Sequence, residues 1–155
     1  MPTAYILIGV QGSGKSIWAH ANAGRLNAVV LASDEIRNEL EAQGIDATNE
    51  GDRVFATVEA RLGRLLDEGQ NVIVDATHAR VRWREKEVAV ARRRGAKVIA
   101  VWFDVPLGVA IERNAGRPGG PWGERVVPKN VLLGVAHGFQ PPISGEFDEV
   151  WRLRK

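Results

Sequence analysis

An apolar run, Ala4-Tyr5-Ile6-Leu7-Ile8, leads directly into Gly9-Val10-Gln11-Gly12-Ser13-Gly14-Lys15-Ser16, a complete Gly-x-x-x-x-Gly-Lys-Ser. This junction constrains the fold more than any other stretch of the chain. The apolar run has the length of a buried strand, and the residues from about Gly14 to Arg25 read as a helix. Glycines between the two let the backbone wrap closely around an anion, with its N–H groups and the helix N-terminus aimed inward. A lysine closing such a loop carries a mobile positive charge to the β- and γ-phosphates of a nucleotide. The serine hydroxyl after it is placed to ligate Mg²⁺. Gly12, Ser13, Gly14, Lys15, Ser16 and Ile17 are therefore the expected nucleotide-binding residues, and Ser16 the expected metal ligand.

Beyond this junction, short apolar runs alternate with helical patterns, which predicts an α/β fold of the three-layer P-loop type with a mostly parallel sheet. Strands are expected at Ala4–Gly9, Ala28–Ala32, Asn71–Asp75 and Ala96–Phe103, with Glu146–Leu153 closing the sheet. A short helix is expected from Ser33 or Asp34. A longer one carries Val54, Phe55, Val58, Leu62, Leu65 and Leu66 on one face and stops at Gly69. Further helices are expected at Val81–Arg94, Pro106–Ala115 and Pro128–Phe139, proline being tolerated in a first helical turn. The stretch Gly116-Arg117-Pro118-Gly119-Gly120-Pro121-Trp122-Gly123 is too rich in glycine and proline for regular structure and is expected to be a loop. With no repeat and no linker composition, residues 1–155 read as a single domain whose lid spans about 113–127.

Composition narrows the class further. An apolar content of 45% supports a packed core, and the absence of cysteine excludes disulfides and thiolate metal sites, which fits a reducing cytoplasm. No apolar run approaches the ~18 residues of a membrane span, so no membrane partner is expected. A net charge of +2 is too small to imply a nucleic-acid partner by itself. The charge is uneven, however: Arg80, Arg82, Arg84, Lys86, Arg92, Arg93 and Arg94 crowd one predicted helix. That run is either a solvated helix face or a track for a phosphate backbone.

In an open α/β sheet, ligands bind beyond the carboxyl ends of the strands. The phosphate loop, Ser33-Asp34-Glu35-Ile36-Arg37 and Asp75-Ala76-Thr77-His78 all fall there. Asp34 and Arg37, three apart at a helix start, can face one cleft. A carboxylate so placed can take the proton of a hydroxyl attacking a γ-phosphate, and an arginine can hold an anionic acceptor. A capping aspartate with a local ion pair is the plainer alternative. Asp75 has by default the place of the aspartate that supports magnesium. Arg113 and Arg117 flank the glycine-rich loop, where a closing lid could bring charge to the transferring group and exclude water. Trp122, inside that loop, either anchors it or stacks on a base.

The series Gly-Ser-Gly-Lys-Ser, Asp34-Glu35-x-Arg37, Asp75-Ala76-Thr77, Phe103-Asp104-Val105-Pro106, Glu112-Arg113-Asn114 with Arg117, and Val127-Pro128 resembles the kinase domain of phage and bacterial polynucleotide 5′-hydroxyl kinases. The ending Gly138-Phe139-Gln140-Pro141-Pro142 with Glu146-Phe147-Asp148 is similar to the wider zeta-toxin and polynucleotide-kinase group of small P-loop kinases. The resemblance covers nearly the whole chain and implies an ATP- and Mg²⁺-dependent transfer to the 5′-hydroxyl of RNA or DNA. It implies Asp34 as general base, Arg37 as grip on the acceptor's phosphate, and Arg117 as catalytic lid arginine beside Lys15. It further implies that Arg113 lies against the nucleotide, that Thr77 and His78 line the acceptor side, and that Asp75 orients Arg37. His78 stands where that family usually has asparagine, and Gly119-Gly120-Pro121-Trp122 enlarges the lid. Two other classes stay open: a P-loop kinase of a small-molecule or aminoacyl-tRNA hydroxyl, and a non-catalytic nucleotide switch.

Overall fold

Alternation of side chains along each strand decides the architecture. In β1 (Thr3–Ile8), Ala4, Ile6 and Ile8 face one layer of the core, whereas Tyr5 and Leu7 face the other. A strand buried on both faces belongs in the middle of a sheet with helices on either side. The computed structural model, which describes residues 1–45, 51–116 and 126–154, places β1 at that centre. The other strands are β2 (Ala28–Ala32), β3 (Asn71–Asp75), β4 (Lys97–Asp104) and β5 (Glu149–Arg154). Their order is β2-β3-β1-β4-β5, and every neighbouring pair is parallel. The expected mostly parallel sheet is thus wholly parallel, and all five strands end at one edge.

Six helices among the described residues complete the layers: α1 (Lys15–Leu26), α2 (Ser33–Ala42), α3 (Gly51–Asp67), α4 (Val81–Arg93), α5 (Leu107–Ala115) and α6 (Lys129–His137). The stripe expected on α3 is real: Val54, Val58, Leu62 and Leu66 are buried against Ile6, Val72, Val74 and the inner face of α4. Each such side chain contributes roughly 1.5–3 kcal/mol by leaving water. On the other face, Trp18, Ala19 and Ala23 of α1 cover Leu7, Ile73, Val101 and Phe103. No helix among the described residues is long and apolar enough to cross a membrane.

Two departures have local causes. The closing strand starts at Glu149 rather than Glu146, because both carboxylate oxygens of Glu146 are held by the Arg84 guanidinium, Nε to Oε2 at 2.6 Å and Nη2 to Oε1 at 2.9 Å. Arg84 itself departs from both readings of the basic run. Its side chain is fully buried, and it also donates to the carbonyls of His78, Gln140 and Pro141. Arg92 and Arg94 likewise serve the fold, pairing with Asp148 and Asp67. Only part of the run is left to face a ligand.

Candidate active site

The phosphate loop occupies the turn between β1 and α1. Gly14 caps α1 with φ 101°, and Gly12 sits at φ 84°, both in the left-handed region that glycine enters without strain. Space enforces glycine at position 12 as well, since a Cβ there would lie 2.1 Å from the Ala110 carbonyl oxygen of α5. The first turn of α1 contains no acidic residue, so its free N–H groups and the helix dipole favour an anion. Lys15 Nζ donates to the carbonyls of Gly9 (2.9 Å) and Val10 (3.0 Å), which holds the ammonium over its own loop. Ser16 Oγ donates to Asp75 Oδ2 at 2.6 Å.

A cleft of about 1030 Å³ opens from this loop along the carboxyl edge of the sheet. Gly12, Gly14, Lys15 and Ser16 form its floor on one side. Asp34 and Arg37 from α2, and Asp75, Thr77 and His78 after β3, form the wall beyond. Register explains the convergence: Ala32, just before α2, pairs with Asp75, so the ends of β2 and β3 are level. Gly9 N–H donates to the Thr77 carbonyl at 3.1 Å and ties the β3 exit to the start of the phosphate loop. Asp34 and Arg37 share this cleft as a pair, with Arg37 Nη1 to Asp34 Oδ1 at 3.2 Å, so the ion pair of the plainer reading and the placement of the sharper one coexist.

Several expected site residues stand elsewhere. Ser13 is buried beneath the loop, with its N–H on the Val10 carbonyl, and Ile17 turns outward with 65% of its surface exposed; neither lines the cleft. Arg113 is exposed on α5 outside the cleft lining, yet an ideal Cβ on Gly14 would lie 3.7 Å from its guanidinium, which puts it beside the phosphate loop. Arg117 and Trp122 fall outside the described residues. The ends of the lid stretch are joined by the buried Asn114, whose amide exchanges hydrogen bonds with the backbone of Val127 at 2.7 and 3.1 Å. Asp75, expected either beside magnesium or orienting Arg37, accepts from the Ser16 hydroxyl.

His78 lines the cleft without offering its ring to it. The imidazole is buried, with Nδ1 2.6 Å from the Leu7 carbonyl and Nε2 2.7 Å from Glu87 Oε2. The Leu7 carbonyl can only accept, so Nδ1 donates; with Glu87 ionised Nε2 donates as well, which makes the ring an imidazolium. Burial pulls its pKa down, but the Glu87 charge and hydrogen bond, with the Leu7 carbonyl, outweigh that and raise it above 6.5. A raised value in the folded state means stability that is complete below the unfolded pKa and lost as pH climbs through the folded one. The urea midpoint of the wild type is expected to fall as pH rises above about 6.5, and a His78→Asn variant to lack that fall. A flat wild-type profile would contradict the imidazolium assignment.

A third wall, of which sequence reasoning had only the basic run with Arg82 and Lys86 and the Val127-Pro128 pair, completes the cleft. Phe55 and Glu59 of α3, Arg82, Trp83 and Lys86 of α4, and Val126, Val127, Pro128 and Val131 also line the cleft. Burial raises the Glu59 carboxyl, opposed by Lys86 and Arg93. The signal for α4 was present in its spacing: 82, 83 and 86 share a helix face, while 84, 87, 88 and 91 share the buried one.

The family model described as AAA domain matches residues 5–142. Among solved structures, the chain is similar to Chaetomium thermophilum Kti12 in complex with ADP-AlF3, at 15% identity and a TM-score of 0.77, covering 97% of this chain and 88% of that one. It is also similar to a gluconokinase from Sinorhizobium meliloti, at 21% identity and a TM-score of 0.66, covering 99% and 82%. These likenesses show the fold. A chain of the Pnkp1/Rnl/Hen1 RNA repair complex is 27% identical with a TM-score of 0.72, over 88% of this chain but 43% of that one. No curated protein matches the chain.

Proposed function

Because the chain belongs to the AAA domain family, we propose that it is an ATP- and Mg²⁺-dependent kinase that moves the γ-phosphate to the 5′-hydroxyl of RNA or DNA. The observation that carries this reading is one cleft lined both by the phosphate loop and by the Asp34–Arg37 pair. A switch protein needs the first set but has no use for the second. The likeness to the RNA repair complex and the exposed cations Arg82 and Lys86 on the cleft wall favour a polymer acceptor over a sugar.

On the donor side, the free N–H groups at the start of α1 and the Lys15 ammonium bind the triphosphate. Ser16 Oγ and the Asp75 carboxylate, 2.6 Å apart beside the loop, form the hard oxygen set that suits Mg²⁺, which takes few protein oxygens along with phosphate and water. When bound, the metal would neutralise phosphate charge. On the acceptor side, Arg37 holds the terminal nucleotide's phosphate and fixes its 5′-oxygen near the γ-phosphorus. Asp34 accepts the hydroxyl proton while the new P–O bond forms and the bond to the β–γ bridging oxygen breaks, releasing ADP. The single-domain reading and a lid around 113–127, with Arg117 completing the charge on the γ-phosphate, belong to this proposal.

Arg37→Ala tests the acceptor side. Loss of one charged hydrogen bond should weaken acceptor binding by ~1–3 kcal/mol and leave the KM for ATP alone. An unchanged KM for a 5′-hydroxyl oligonucleotide would remove Arg37 from that role. An acceptor panel tests the class: transfer to oligonucleotide ends is expected, and transfer to a sugar acid but to no oligonucleotide would overturn the reading.

A further inference from the structure

No bond-making or proton-transfer step above uses a side chain of the α4 wall. Trp83 there is 44% exposed and lines the cleft, an uncommon place for a large aromatic side chain that the core could have used. The guanidinium carbons of Arg80 and Arg82 lie 5.4 and 5.9 Å from its ring centroid. Arg82 and Lys86, one helical turn apart, share the face of Trp83 and are exposed, and neither forms an ion pair among the described residues. Arg84 and Glu87, on the inner face of the same helix, are pinned, so this outer face is held in a fixed orientation toward the cleft.

We propose that Trp83, Arg82 and Lys86 form a second acceptor subsite, which stacks a nucleobase and holds the phosphate one nucleotide inward from the 5′ end. The inference rests on the polynucleotide reading and sharpens it: the preferred acceptor is an oligonucleotide, not a mononucleotide. A π-face beside two cations, neither in an ion pair among the described residues, matches the repeating base and phosphate of a single strand. A sugar acid offers no aromatic face, and the terminal nucleotide's own phosphate already has Arg37. Stacking on an aromatic residue tolerates any base, so the subsite selects for length and not for sequence.

The test compares two 5′-hydroxyl acceptors, a 3′-nucleoside monophosphate and a pentanucleotide, by steady-state transfer from ATP. Wild-type protein should favour the pentanucleotide in kcat/KM. Trp83→Ala should erase roughly 5- to 150-fold of that preference, through KM, with the mononucleotide unaffected and Trp83→Phe close to wild type. Arg82→Ala with Lys86→Ala should flatten the salt dependence of the pentanucleotide KM and leave that of the mononucleotide alone. Arg82 and Lys86 are exposed and Trp83 is 44% exposed, so unfolding midpoints should stay near the wild-type value, and Trp83→Phe separates stacking from packing. If wild type labels both acceptors but Trp83→Ala changes them equally or not at all, the subsite is wrong and the kinase reading stands. If wild type labels neither while transferring phosphate to a sugar acid, both fall together.

Discussion

Asp34→Asn should lower phosphoryl transfer by about 100-fold or more while leaving nucleotide affinity in place. Asparagine matches aspartate in shape, and its carbonyl oxygen can still accept from Arg37 Nη1, now at 3.2 Å from Asp34 Oδ1. The pair's geometry thus survives the change; the capacity to take a proton does not. In the proposed mechanism the nucleotide is held by the α1 N-terminus, Lys15 and the Ser16–Asp75 contact, none of which includes Asp34. The check is steady-state transfer with saturating acceptor, alongside an independent measurement of ATP affinity. A rate near that of the wild type would remove Asp34 as the base. Loss of ATP affinity in parallel would show that the carboxylate holds the donor side together instead.

Arg84→Ala should cost about 3–5 kcal/mol of folding stability, the range seen when one partner of a buried ion pair is removed. All the N–H groups of Arg84 are engaged, on Glu146 and on the carbonyls of His78, Gln140 and Pro141. Truncation leaves the largely buried Glu146 carboxylate and these carbonyls without their donor. Replacing the pair together, as Arg84→Met with Glu146→Met, should recover much of the loss, because no charge is then stranded. Urea unfolding decides this, with the exposed Arg82→Ala as the control expected to stay near wild type. Equal midpoints for Arg84→Ala and Arg82→Ala would contradict the buried pair.

The phosphate loop and the strand that feeds it were legible in the sequence because their mechanics are local. A strand, three glycines and a helix start must be adjacent in the chain, and so they are. Asp34 and Arg37 were legible for the same reason, being three apart at a helix start. What the sequence hid is what depends on distant partners. Arg84 looked like any other cation of its run until Glu146, 62 positions away, closed on it. His78 looked like an acceptor-side residue, but its backbone takes φ 49° and its ring turns inward to Leu7 and Glu87. Trp83 could not be told from the partly buried Trp18, Trp102 and Trp151 until the cleft around it was visible. Asp75 was read two ways, beside magnesium or orienting Arg37, and its 2.6 Å contact with Ser16 came into view only in the fold.

The most direct test of the central claim is to follow γ-labelled ATP with Mg²⁺ and short 5′-hydroxyl RNA and DNA strands, then digest the product and locate the label. Label on the 5′-terminal nucleotide with wild-type protein, and almost none with Asp34→Asn, is the predicted result. ATP bound with no strand labelled, or label that is indifferent to Asp34, would contradict it.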